Sequence, residues 1–152
     1  MGLLVTTSRK PGALTRRLAR WLGRFLGDCD NRGKSPLSDI VARAESKGYS
    51  RVLFIYERHG NPCELSFYEE DWIEPAVQIT GIDWVEAKEP RLPAAAFATG
   101  KDATGKKIAA LFALEKPEGR AVEIKASENE ISFTVNGERV GPKLKIKVIE
   151  NG

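Results

Sequence analysis

The chain has 152 residues, the size of one domain with room for a sizeable core, and a formal net charge of +3 at pH 7, too small to establish a polyanionic partner by itself. It holds no apolar run of membrane-spanning length, no secretory leader pattern, no GxxxxGK[ST] loop and no CxxC or Cys/His cluster. A membrane protein, a P-loop nucleotide hydrolase and a structural zinc site are therefore without support, and Cys29 and Cys63 read as two reduced thiols in a cytoplasmic protein.

Residues 3–7 are apolar and β-rich and predict a short buried strand. Pro11, favoured in a first turn, opens a helix. Its Leu14, Leu18, Trp21, Leu22, Phe25 and Leu26 recur on one apolar face, with Arg16, Arg17, Arg20 and Arg24 on another. Gly27 ends this helix, and a brief segment around Cys29 reads as the edge of a sheet. Ser35 and Pro36 form an N-cap and first-turn pair for a second helix through Leu37, Ile40, Val41 and Ala44, closed by Gly48. Residues 51–57, centred on Val52-Leu53-Phe54-Ile55-Tyr56, make the strongest strand, apolar enough to be covered on both faces. Gly60-Asn61-Pro62 marks a turn, and residues 64–68 alternate as a half-buried strand.

Residues 69–75 read as an acidic connection, in which Trp72 is either a capping core residue or an anchor for a partner. Residues 76–85 read as extended, with Val77, Ile79 and Val85 on one face. Pro90 and Pro93 bracket an irregular stretch before residues 94–98. Asp102 caps a third helix that turns Ile108, Leu111, Phe112 and Leu114 toward the core. Strands at 120–126, 130–135 and 143–149 follow, with Asn136-Gly137 a strong turn signal.

Charge is segregated along this order. Between Ser8 and Lys34 stand eight cations (Arg9, Lys10, Arg16, Arg17, Arg20, Arg24, Arg32 and Lys34) against Asp28 and Asp30 alone. Between Glu64 and Glu89 stand eight acids, including Glu64, Glu69, Glu70, Asp71 and Glu74, against Lys88 alone. If the fold keeps the two apart, one side of the molecule suits a polyanion.

Two basic segments, Ser8-Arg9-Lys10-Pro11 and Asn31-Arg32-Gly33-Lys34, each follow a strand and precede a helix. A helix start presents unpaired N–H groups and a positive dipole end, so both segments are candidate phosphate sites. Arg9 offers a planar fork, Lys10 a point charge, and Gly33 close backbone approach. The alternative is that both are solvated turns whose cations maintain solubility. Arg58-His59-Gly60 ends the strongest strand: Arg58 can hold a phosphate and His59 can stack on an unpaired base, or the segment is a polar hairpin turn. His59 is the only histidine and has no evident nucleophile or acid partner, so neither catalysis nor a cofactor nor a metal is expected.

Taken in order, Thr6-Thr7-Ser8-Arg9-Lys10-Pro11, Asn31-Arg32-Gly33 and Glu57-Arg58-His59-Gly60-Asn61-Pro62 resemble the Brix-domain family of ribosome biogenesis, particularly its short archaeal members. Gly105-Lys106-Lys107-Ile108 and Val140-Gly141-Pro142-Lys143 resemble that family's later motifs, so the resemblance covers nearly the whole chain, 1–152. It implies an α/β (α+β) fold of two similar halves, about 1–70 and 76–150, each like the anticodon-binding domain of class II aminoacyl-tRNA synthetases. It also implies a non-enzymatic role in processing or assembling ribosomal RNA or its precursor. Ser8, Arg9, Asn31, Arg32, Gly33, Arg58 and Gly60 would belong to the recognition surface, joined by Lys10, Arg16, Arg17, Arg20, Lys34 and His59.

Two positions depart from the family pattern. Gly12 stands where many members have serine, and Thr134 where a basic residue is expected, which puts RNA contact by the second half in question. The expected partners are ribosomal RNA or its precursor, with no membrane. The competing expectation is a protein-interaction module whose ligand is a ribosomal protein or another assembly factor.

Overall fold

The computed structural model describes residues 2–84 and 91–149. Val85, Lys88, Glu89 and Pro90, named above, lie outside the described residues. In chain order the elements are β1 (Leu3–Thr7), α1 (Ala13–Leu26), β2 (Gly27–Cys29), α2 (Leu37–Ser46), β3 (Arg51–Arg58), β4 (Asn61–Glu69), β5 (Asp71–Trp84), β6 (Ala96–Gly100), α3 (Ala103–Phe112), β7 (Val122–Ala126), β8 (Glu130–Val135), β9 (Glu138–Arg139) and β10 (Pro142–Ile149).

All the strands belong to one mixed sheet, ordered β2-β1-β3-β4-β5-β10-β8-β7-β6, with β9 beside β8. At one end β1 runs parallel to β2 and β3; at the other β6 runs parallel to β7. The remaining pairings are antiparallel, with β5 and β10 as the central ladder.

Alternation decides which face each strand residue serves. Leu3, Val5, Leu53, Ile55, Leu65, Phe67 and Val77 face α1, in a core that runs on through Ile124, Ile131, Phe133 and Leu144 to α3. Leu4, Val52 and Phe54 face the other way, onto Ile40 and Ala44 of α2. The apolar run in β3 is thus covered on both faces, and each fully buried leucine or phenylalanine contributes about 1.5–3 kcal/mol. Trp21 ties the molecule together: its ring lies edge-on to Phe133 at 4.8 Å and to Trp84 at 6.1 Å.

The structure corrects several sequence expectations. Residues 69–75 are not a connection: Glu70, at φ 65°, makes a tight turn, and Asp71 already begins the long strand β5. Its distance from the core disguises it, since Trp72 is exposed and its neighbours are acidic. The turn after β3 sits at His59 and Gly60, so Asn61 and Pro62 open β4. The cap of α2 is Pro36 rather than Ser35, whose hydroxyl accepts from Arg43 instead. Leu14, expected on the apolar face of α1, is 46% exposed because it stands in the first turn, beside an open cleft of the sheet.

Candidate nucleic-acid interface

Parallel strands end on the same side of a sheet, so the loops after β1, β2 and β3 emerge along one edge. That edge gathers Ser8, Arg9 and Lys10; Asn31, Arg32, Gly33 and Lys34; and Arg58, His59 and Gly60. The loops are stitched to one another by backbone. The Ser8 N–H donates to the Ile55 carbonyl at 3.0 Å, and the Asp30 N–H to the Val5 carbonyl at 2.8 Å. The Thr6 hydroxyl donates to the Asp30 carbonyl at 2.9 Å. Lys10, Gly33, His59 and Gly60 all take positive φ, which turns the chain sharply at each loop. Nothing lies within 4 Å of where a Cβ would project from Gly33 or Gly60, so both backbones are open to a ligand.

Arg9, Lys10, Lys34, Arg58 and His59 are exposed on this edge, and Asn31 is exposed with its Oδ1 accepting from the Gly33 N–H at 3.3 Å. Ser8 is half-buried, its Oγ enclosed without a hydrogen-bond partner. Arg16 and Arg20 extend the exposed cations along α1. Arg17 instead folds over the Trp84 ring at 3.9 Å, which neutralises none of its charge but fixes its direction.

Arg32 has a different place. It is 8% exposed; its Nε donates to the Ser35 carbonyl at 2.7 Å, its Nη1 to the Thr7 carbonyl at 3.1 Å, and its guanidinium lies 5.4 Å from the centre of Phe54. It fastens the second loop to the end of β1 and turns little of itself to solvent.

The start of α1 is also not the open anion trap that its sequence suggests. The Glu57 carboxylate, from the end of β3, accepts from the Gly12 N–H at 2.9 and 3.2 Å and from the Thr15 hydroxyl. Gly12 offers no side-chain cap, and Glu57 takes that role from another strand. An internal anion therefore already satisfies this helix start, and an external phosphate at this edge would meet side chains first. Sequence reasoning misses this role of Glu57; the only signal is a carboxylate closing the strongest strand at the edge where the basic loops gather.

Past the pairing of Glu64 with Gln78, β4 and β5 part, β4 staying with β3 and β5 with β10. The gap is a cleft of about 570 Å³ beside the basic edge, lined among others by Leu14, Arg58, His59, Asn61 and Trp84. Among the described residues no group of three or more His, Cys, Asp or Glu side chains is placed to hold a metal. No helix among them is long and apolar enough to cross a membrane.

No protein-family model matches the chain. A probable Brix domain-containing ribosomal biogenesis protein of Methanosarcina barkeri is 31% identical over 89% of this chain and 91% of its own. One from Archaeoglobus fulgidus is 38% identical over 55% of this chain and 53% of its own. Among solved structures, an archaeal Imp4-like protein, Mil, superposes with a TM-score of 0.72 at 29% identity, covering 95% of this chain and 97% of its own. A probable ribosomal biogenesis protein from Aeropyrum pernix shares the fold, with a TM-score of 0.77 at 21% identity over 96% of this chain and 95% of its own. With a relative above thirty per cent identity along almost the whole chain, and the motifs in their expected order, this protein belongs to the Brix-domain family of ribosome biogenesis proteins.

Proposed function

We propose that the chain is a non-enzymatic assembly factor that binds ribosomal RNA or its precursor along the basic edge of the sheet. The observation that carries this is the convergence of three loops, after β1, β2 and β3, on one edge with Arg9, Lys10, Lys34 and Arg58 exposed. Arg9, Lys10, Lys34 and Arg58 hold the sugar–phosphate backbone, Arg16 and Arg20 continue the track along α1, and the open backbones at Gly33 and Gly60 allow close approach. Ser8 and Asn31 shape the loops from within, and His59, at the mouth of the cleft, stacks on an unpaired base. Arg32 acts on this surface indirectly, by holding two of its loops in place.

In the same reading the chain is one domain of two similar halves, 1–70 and 76–150, each of the anticodon-binding type. What supports it is that each end of the sheet carries a parallel strand pair linked through a helix, β1-α1-β2 and β6-α3-β7.

The test is a gel-shift titration of an rRNA fragment with the purified chain alone. Binding by the chain alone, abolished in an Arg9→Ala/Lys10→Ala/Arg58→Ala variant with an unchanged melting temperature, is the expected result. A shift seen only when a ribosomal protein is added contradicts it.

A further inference from the structure

The opposite face of the sheet carries a second recess whose chemistry is the reverse of the basic edge. Leu65 pairs with Val77 and Phe67 with Ile73, so the single residue Ser66 of β4 faces three residues of β5, Glu74, Pro75 and Ala76. Pro75 has no N–H to offer the ladder, and the strand bulges there. The bulge opens a hollow of about 500 Å³ whose walls include Tyr56, Trp72, Glu64 and Glu74.

The aromatic wall is a built cluster rather than a stray ring. Trp72, 43% exposed, lies edge-on to Tyr68 at 5.1 Å and to Phe54 at 5.3 Å, and tilted against Tyr56 at 6.2 Å. Trp72 stands outside the core cluster that Leu4, Val52 and Phe54 make with Ile40 and Ala44 of α2. The acidic wall is equally specific: Glu64 is half-buried and held by the Ser66 hydroxyl at 2.5 Å, and Glu74 is exposed at the rim. By alternation Glu69 and Asp71 at the hairpin tip turn to the opposite face, where Glu69 pairs with Arg51 at 3.5 Å, so the acids of the recess itself are Glu64 and Glu74. Cations also border it: Arg32, held by the Ser35 and Thr7 carbonyls, reaches Tyr56, Lys147 stands across the ladder from Gln78, and Arg51 and Lys107 share a neighbouring hollow with Glu74. Arg32 already uses one ring of this cluster as a cation seat, which shows the rings accept a guanidinium.

We propose that this recess is a docking site for a basic polypeptide, taking a lysine or arginine side chain against Trp72 and Tyr56 with Glu64 and Glu74 balancing its charge. Aromatic faces attract cations through their quadrupole, most strongly when partly desolvated, and carboxylates at the rim exclude a polyanion such as RNA. The site lies on the α2 side of the sheet, away from the arginines of α1, and does not depend on the RNA reading of the basic edge.

The test titrates the full chain with a short arginine–glycine peptide and with the same peptide carrying citrulline, which keeps shape and loses charge. The Trp72 indole N–H signal is followed by NMR, and affinity by calorimetry at physiological salt. The arginine peptide should move the Trp72 signal and bind about tenfold more tightly than the citrulline peptide. Trp72→Ala and Glu64→Gln/Glu74→Gln should each weaken it about tenfold, while rRNA affinity stays unchanged in both. If Trp72→Ala fails to fold, the carboxylate variant, which keeps the shape of the recess, decides. Equal binding of the two peptides, no binding at all, or unchanged affinity in the folded variants overturns the proposal. So does an RNA oligonucleotide that moves the Trp72 signal where the arginine peptide does not. Loss of rRNA binding in the Arg9, Lys10 and Arg58 variant belongs to the other site and leaves this result untouched.

Discussion

Two residues on the basic edge carry sequence signatures that do not match their work. Arg32 stands in a loop motif beside a glycine and a lysine, where a cation ordinarily faces solvent. Here it spends its donors on the Ser35 and Thr7 carbonyls. Buried carbonyls left without a donor cost about 1–3 kcal/mol each, so Arg32→Ala should lower stability by about 2–4 kcal/mol, read from a denaturant titration. Arg9→Ala should leave the denaturation midpoint in place and weaken rRNA binding; equal midpoints for both variants would remove the distinction between them. Glu57 is the converse case, an acid inside a basic surface. Its carboxylate caps α1 from another strand, so Glu57→Ala should cost about 0.5–2 kcal/mol and fray the first turn, seen as faster amide exchange at the start of α1.

At the scale of elements, the long periodic segments are the ones readable in the sequence. The apolar stripe of α1, the two-faced strand β3 and the Asp102 cap of α3 stand where period and capping chemistry put them. The Asp102 Oδ1 accepts from the Gly105 N–H at 2.6 Å, and that bond, with a second from the Glu128 N–H, holds its carboxyl below the usual value. A depressed folded pKa means the cap's contribution is complete above the ordinary carboxylate range and is lost as pH falls through the folded value. Asp102→Ser, which keeps a capping oxygen but removes the titrating group, should therefore flatten the acid limb of stability against pH, as read from unfolding midpoints across that range.

Features set by distant partners stay hidden in the sequence. The Glu70 turn and the bulge at Glu74–Ala76 depend on how β5 pairs with β4, and an acidic strand facing solvent has no apolar alternation to reveal it. Gly141 is another such position. At φ 62° it lies flat against Trp21, and a Cβ there would come within 2.1 Å of the indole. Gly141→Ala should destabilise by about 2–4 kcal/mol through strain and displacement of Trp21, measurable as a drop in melting temperature with a changed tryptophan emission.

Among the described residues, the basic segment gathers at one edge, while of the acidic segment Glu64 and Glu74 line a separate recess. The basic edge follows from parallel strands ending together; the acidic, aromatic recess follows from a bulge in the middle of the sheet. The ordered motifs make the family readable, the first three because they sit at the loops that the parallel strands bring together, the later two in α3 and at the start of β10. The candidate surface is only partly readable, because burial sorts Arg32 from Arg9 and no local pattern distinguishes them.

The central claim is that exposed cations of the basic edge bind the RNA backbone, and the salt dependence of binding tests it most directly. If roughly 4–6 phosphates are engaged, the logarithm of the association constant for an rRNA fragment should fall with the logarithm of salt concentration with a slope of about −3 to −5. Replacing Arg9, Lys10 and Arg58 by alanine should make that slope shallower by about one unit for each phosphate no longer neutralised. A flat salt response, or the same steep slope in the parent and the triple variant, would contradict the account.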